Sequence, residues 1–287
     1  MKSILTAVPL ASILALPLAV HAQSTDEAGL PLWELGIGAA AISTPAYPGA
    51  DDQNNRALAL PFILYRGEIL RADQSGIGAR LFRSDRVEFD IGLAGALPSD
   101  SDDVEARRGM PDLGTLFEFG PRLKVKIADL DRSSRLRAEL PLRAVIEARG
   151  GLRRQGWTFE PRLVYERVGE GGAWTFQGQV SAVVGDKRIQ RYFYEVQPQY
   201  ANANRPAFDA DAGLLLTRLG VFGTRRINRD LRLFGFLRLE SYKGAANRDS
   251  PLHVRDHGVS GGFGFAWTWK RSSRRASGAE TVDPNMM

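Results

Sequence analysis

From Phe117 the stretch LFEFGPRLKVKI alternates with a period of two. Phe117, Phe119, Pro121, Leu123, Val125 and Ile127 fall on one side, and Glu118, Gly120, Arg122, Lys124 and Lys126 on the other. A strand points successive side chains to opposite faces, so this pattern predicts a strand with one apolar and one charged face. The same period recurs in segments at Trp33–Ser43, Ala57–Tyr65, Glu68–Asp73, Ile77–Phe82, Arg86–Leu97 and Leu116–Ile127. It continues through Arg135–Ala148, Trp157–Arg167, Ala173–Gly185, Leu214–Arg225, Leu231–Tyr242 and His257–Trp269. About twelve strands are therefore expected, and no segment shows a helical stripe.

The connections sort by length. Arg83–Asp85, Ala128–Ser134, Val168–Gly172 and Ile227–Asp230 are short. Thr44–Arg56, Pro98–Thr115, Arg149–Gly156, Asp186–Gly213 and Lys243–Asp256 are long, and from Arg83 onward short and long alternate. Antiparallel barrels of the outer membrane have short periplasmic turns and long external loops. Between the long loop before Ala57 and the short turn at Arg83 the chain must cross an odd number of times. One span needs about 9–11 residues, so three crossings are expected there, with turns near Arg66-Gly67 and Gln74–Gly76. The middle crossing is short.

Several strands carry charges of both signs on one face. Leu136, Ala138, Leu140 and Leu142 oppose Arg135, Arg137, Glu139 and Arg143; Trp157, Phe159 and Leu163 oppose Thr158, Glu160 and Arg162. In a membrane barrel the apolar face meets lipid and the polar face lines the lumen. The candidate lumen charges are Glu118, Arg122, Lys124, Lys126, Arg137, Glu139, Arg143, Glu147, Glu160 and Arg162. Aromatic residues near strand ends, such as Trp33, Tyr65 and Trp174, suit the girdles at the bilayer interfaces.

The N-terminus fits an exported barrel. Lys2, an apolar run interrupted by Pro9 and Pro17, and Val20-His21-Ala22 have the layout of a signal peptide over residues 1–22, with cleavage between Ala22 and Gln23. A short periplasmic segment, residues 23–32, would precede a barrel over residues 33–269. No later run is long and apolar enough for a transmembrane helix. The chain has no cysteine, so ladder hydrogen bonds and packing must supply its stability. A net charge of +5 and a pI near 9.6 suit lipid phosphates and cell-wall polymers. Nucleic acid is not an expected partner of an exported protein.

Motifs for chemistry are weak. Gly258-Val259-Ser260-Gly261-Gly262 fits G-x-S-x-G beside His257, but a strand follows where the nucleophile elbow needs a helix. His257 and Ser260 fall on opposite strand faces. His253 and His257 have helical metal-ligand spacing but flank a loop and are expected to be solvated. Gly36–Ala41 fits G-x-G-x-x-A inside a strand, which excludes a dinucleotide cradle. The acidic stretch Pro98–Glu105 lacks the spacing of a calcium loop. No catalytic residue, metal or cofactor is expected.

The ordered set WELGIGAAAISTPAYPGAD, LPFILYRGEILRADQSGIGARLFRSDRVEFDIGLAGALPSDSDD, ARRGMPDLGTLFEFGPRL, GWTFEPRLVYE, YFYEV, RPAFDADAG and DSPLHVRDHGVSGGFGFAWTW resembles the MipA/OmpV family of outer-membrane proteins. The resemblance spans about Trp33 to Trp269. It implies an outer-membrane barrel without known catalysis. It also implies a scaffold that holds a lytic transglycosylase together with a murein synthase. Outer-membrane lipid, lipopolysaccharide and the barrel insertion machinery are the other expected partners. Phe263, Phe265, Trp267 and Trp269 are the candidate insertion signal, although here a polar, basic tail over residues 270–287, expected to be disordered, follows them. Two further readings stay open: a narrow channel for small polar or anionic solutes, motivated by the lumen cations, and a lipid-modifying enzyme, motivated only by Ser260 and His257.

Overall fold

The computed structural model describes residues 30–73 and 76–276. The signal segment with Ala22 and Gln23 lies outside the described residues, as do residues 277–287. Thirteen strands follow in chain order: β1 (Trp33–Pro45), β2 (Gln53–Arg66), β3 (Leu70–Asp73), β4 (Gly76–Arg83), β5 (Val87–Ala96), β6 (Thr115–Asp129) and β7 (Ser134–Ala148). They continue as β8 (Leu152–Phe159), β9 (Arg162–Val168), β10 (Trp174–Gly185), β11 (Gly213–Arg226), β12 (Leu231–Ser241) and β13 (His257–Arg271). All pairings are antiparallel, and β13 returns to β1 from Gly261↔Ser43 to Arg271↔Glu34. That last ladder closes the sheet into a barrel, so neither the first nor the last strand is left with a free edge.

β8 and β9 are two halves of one crossing. Both pair with β7 on one side and β10 on the other. The break falls at Glu160-Pro161, where Pro161 has no N–H to donate. Around it, the Glu160 N–H reaches the Pro141 carbonyl and the Ala182 N–H the Pro161 carbonyl. The barrel therefore has the expected twelve crossings.

The boundaries differ from the expected ones at three places. The external connection between β7 and β8 is three residues, Arg149–Gly151, because Leu152–Arg154 already pair with Ile146–Ala148. Gly150 and Gly151 take positive φ there, which allows the tight turn. A helix, α1 (Lys187–Tyr194), stands in the loop after β10. Asp186 caps it by accepting from the Ile189 N–H at 3.0 Å, and Ile189, Gln190 and Tyr194 are buried. Eight residues hold only one turn's worth of apolar spacing, too little to register as a stripe. Thirdly, the C-terminal tail, expected to be disordered from Lys270, keeps its pairing to Ala276. Ser272 N–H bonds to the Trp33 carbonyl and Ala276 N–H to the Leu30 carbonyl, so backbone pairing outweighs the polar composition.

The three crossings between β2 and β4 are present but unequal. β2 pairs with β1 over its whole length, from Gln53↔Pro45 to Tyr65↔Trp33. On its other edge it meets β3 only at Tyr65 and Arg66 among the described residues. Above the short β3–β4 hairpin a seam separates β2 from the outer end of β5. The Arg56 guanidinium crosses it, donating to the Pro98 carbonyl at 2.6 Å.

The outer face is an apolar belt in which Ile37, Ile63, Leu93, Phe119, Leu142, Trp157, Phe176, Leu219, Leu237 and Phe265 are exposed. The interior has two unlike halves. Charges line β5 to β9. Across from them, β1, β2, β12 and β13 present glycines, small residues and rings. The Phe234 ring lies where a side chain on Gly264 would stand, at 2.6 Å, and Phe236 covers Gly262 in the same way. These close approaches require glycine. Gly264→Ala is expected to destabilise the barrel by about 1–3 kcal/mol, because its Cβ would also collide with the Ala39 carbonyl. Gly261→Ala, which meets only ordinary contacts near 3.6 Å, should be neutral. Urea unfolding of the two variants in micelles, followed by tryptophan fluorescence, compares them; equal midpoints would contradict the packing.

Candidate functional site

The charged half of the lumen is built by register. β5 and β6 pair Asp90 with Arg122 and Glu88 with Lys124. Arg122 donates to both Asp90 oxygens, at 2.9 and 2.8 Å, in a bidentate fork. Lys124 bridges Glu88 at 2.7 Å and Asp90 at 2.8 Å, and Arg80 adds a second cation to Glu88 at 3.3 Å. Farther round, Glu139 accepts from Arg137 at 2.7 Å and from Arg162 at 2.8 Å. Arg137 also reaches Glu166 at 2.7 Å. Glu160 holds Arg143 and Arg218, both at 3.0 Å, and Arg218 passes the chain on to Glu240 at 2.8 Å. Glu118 lies 3.5 Å from Arg143 and accepts from the Thr158 hydroxyl.

Two of the candidate charges sit elsewhere. Lys126 pairs with Asp129 at the end of β6, partly exposed. Glu147 is buried at the external end, where it accepts from the Gly114 N–H, the Gln155 amide and the Tyr192 hydroxyl. Several charges of the lumen fall outside the candidates, among them Arg80, Arg218, Arg238 and Glu240. The inward parity of Arg238 and Glu240 was readable in LRLFGFLRLES, but Phe234 and Phe236 share that face and mask the polar signal.

The external mouth is closed by its own loops. Tyr47, Val104, Met110, Leu113, Tyr194, Val196, Tyr242 and Leu252 form one buried cluster drawn from four loops. The Tyr47 hydroxyl donates to the Leu252 carbonyl at 2.6 Å and the Tyr194 hydroxyl to the Pro48 carbonyl at 3.0 Å. Asn247 spans the Gln190 side chain and the Asp211 carbonyl, and Ser250 bonds to the Tyr194 carbonyl. Arg107 is buried beside the Tyr47 ring, 5.7 Å from its centroid, and donates to the carbonyls of Phe193 and Pro111. Arg107 thereby ties three loops together.

The weak motifs find no shared site. Ser260 is buried on the inner face, and His257 is exposed on the other. His253 is not solvated as expected. It is buried in the cap between the Tyr194 and Tyr242 rings and reaches Asp256 at 3.4 Å, because the loop folds inward over the mouth. Asp100 and Asp112 turn their carboxylates onto the N–H groups of Asp102 and Ser101. Among the described residues no cluster of acidic or histidine side chains is arranged to hold a metal ion. Phe263, Phe265, Trp267 and Trp269 all face outward on β13, and Trp267 and Trp269 stack edge to face.

Two outcomes follow from this geometry. Glu139→Gln leaves Arg137 and Arg162 short of a buried counter-charge and is expected to cost about 3–5 kcal/mol, read as a lower urea midpoint in micelles. An unchanged midpoint would mean that the pairs are not desolvated. Burial pushes the phenols of Tyr47 and Tyr194 above their ordinary value of 10.0, Arg107 pulling the other way on Tyr47. A phenol with a raised folded pKa stabilises the cap fully below the unfolded value. That contribution is lost as pH rises through the folded pKa. Tyrosinate absorbance should therefore show these two rings ionising only with opening of the cap above about pH 10; ordinary titration of all tyrosines would contradict it.

No curated protein sequence matches the chain. Among solved structures, an outer membrane channel from Pseudomonas putida F1 is similar at 12% identity, with a TM-score of 0.44, 87% of this chain and 100% of that one being covered. The NanC porin is similar at 11% identity and TM-score 0.37, covering 83% of this chain and 100% of that one. Outer membrane phospholipase A from Escherichia coli is similar at 11% identity and TM-score 0.33, covering 86% of this chain and 98% of that one. These are likenesses of fold. A family model described as MltA-interacting protein MipA matches residues 37–269, nearly the whole barrel. The chain belongs to the MipA family and is an outer-membrane β-barrel.

Proposed function

We propose that this protein is a closed outer-membrane barrel that acts as an attachment point for cell-wall enzymes, rather than as a pore. The observation that carries the reading is the blocked lumen. The mouth is covered by a packed loop cluster, and the cations that motivated a channel are held by carboxylates. Arg122, Lys124, Arg137, Arg143 and Arg162 each contact at least one. Held in this way, these five cations offer little attraction to a passing anion. What remains for function is the surface at the two ends.

The family description names an interaction with MltA. That supports a periplasmic lytic transglycosylase, and with it a murein synthase, as the partners. The short turns around Asp85, Arg132 and Arg229 are the surfaces that such partners would meet. Residues 30–32 pair with residues 272–276 beside the start of β1, on the same side. The role proposed for this surface is one of binding and placement.

Photo-crosslinkers placed at Asp85, Arg132 and Arg229 in intact cells, with captured proteins identified by mass spectrometry, test the reading. Recovery of murein-cleaving and murein-synthesising enzymes at these positions, and not from crosslinkers at Asn204 on the external loops, is expected. In planar bilayers the purified barrel should give no steady conductance. A stable open-channel current, or recovery of lipopolysaccharide-assembly proteins alone, would overturn it.

A further inference from the structure

Beneath the loop cap the barrel is not completely filled. A cavity of about 280 Å³ lies in the outer half of the lumen. Its walls are largely apolar, with Ile42 on β1, Leu216 and Phe222 on β11, and Phe234 and Phe236 on β12. A cavity with such walls tends to stay dry, and one of about 150 Å³ already admits benzene. The space here is nearly twice that.

Four charged groups interrupt the apolar lining, and one of them stands apart. Arg238 faces the cavity from β12, its guanidinium 4.9 Å from the centroid of the Phe236 ring. The other charges at the cavity wall are engaged. Arg218 is held by Glu160 and Glu240. Glu240 spends one oxygen on Arg218 and the other on the Tyr242 hydroxyl. Glu118 faces Arg143 and Thr158. For Arg238, among the described residues, no hydrogen bond and no carboxylate within 4.0 Å is found; its close neighbour is the Phe236 ring. Arg238 thus brings guanidinium N–H donors to the cavity wall for which no acceptor is found among the described residues.

We propose that this cavity binds a small amphipathic carboxylate, an apolar chain or ring bearing one anionic head. The carboxylate sits on Arg238 in the fork geometry that guanidinium favours, and the apolar body lies against Phe222, Phe234, Phe236 and Leu216. The two kinds of contact divide the recognition: the rings take any apolar body of suitable size, and Arg238 selects the charged head over a neutral one. The cavity also touches Asn54 on β2 and Ala96 on β5, the two sides of the seam in the barrel wall. This is a binding site distinct from the turns at the opposite end, and it stands or falls independently of any periplasmic partner.

Octanoate and octanol are the probes. Full-length protein is placed in phosphatidylcholine nanodiscs, with empty nanodiscs as the partition control, and saturable binding is measured by saturation-transfer NMR. Wild type is expected to bind octanoate. Arg238→Gln should weaken octanoate by about tenfold or more, the worth of a charge-assisted hydrogen bond, and leave octanol unchanged. Leu216→Trp, which fills the apolar end, should abolish saturable binding of both. Heat-modifiable migration establishes that each variant is folded. Absence of saturable octanoate binding by wild type would overturn the proposal, and so would equal octanoate affinity in folded Arg238→Gln. If Arg238→Gln does not fold, Leu216→Trp decides: octanoate binding as in wild type would overturn the proposal, and its loss would support it.

Discussion

In lipid every peptide N–H and C=O must find a partner within the protein, and the ladder between β13 and β1 is where this chain meets that demand. Strands adjacent in sequence pair through short hairpins, which any meander can form. The first and last strands are more than two hundred residues apart, and only their pairing turns an open sheet with two raw edges into a barrel. Much else is subordinate to it. The glycines of β1 and β13 let the two backbones and the rings from β2 and β12 come close at the joint. The Ser272–Ala276 extension pairs with Leu30–Leu32 and prolongs the joint past the last aromatic.

Closure creates an interior, and the chain fills it by two different physical means. Where β5 to β9 meet, long charged side chains of opposite sign interlock. Each buried charge is costly to desolvate, so the arrangement holds only because carboxylates such as Glu139 and Glu160 serve two guanidinium groups each. Where β12, β13, β1 and β2 meet, aromatic rings fill the space above glycines. The two fillings meet near Arg218, Arg238 and Glu240, and the space left over lies there. A charged lattice and a stack of rings have different spacings, and neither extends across the boundary.

The sequence was most readable where one face met lipid and the other met charge. LFEFGPRLKVKI is such a strand, and β6 has Phe117, Phe119 and Ile127 outside and Arg122 and Lys124 inside. The single crossing made of β8 and β9 was also legible, because alternation on both sides of Pro161 kept one phase. The β7–β8 turn was not, since Arg153–Gln155 are basic or polar residues beyond the membrane belt, where pairing no longer depends on apolar alternation. α1 is too short to show a period. The pairing of individual charges is a matter of register between strands distant in sequence: nothing near Arg218 signals that Glu160 will face it. His253 was misplaced for a similar reason, because its burial depends on Tyr194 and Tyr242 arriving from other loops.

The seam beside β2 bears on how the wall responds to force. A closed sheet is stiff because stretching its circumference must break a full row of hydrogen bonds. β2 and β3 share two residue pairs among the described residues, whereas β1 and β2 share thirteen. A cylinder with one short stave does not deform evenly. Lateral tension in the bilayer concentrates on that line, and the circumference widens there at lower cost than at any full-length ladder. Arg56, bonded to the Pro98 carbonyl, and Asp52, which accepts from the Glu105 N–H, tie the outer end of the seam, so they set how far the rim yields before the ladders on either side are strained.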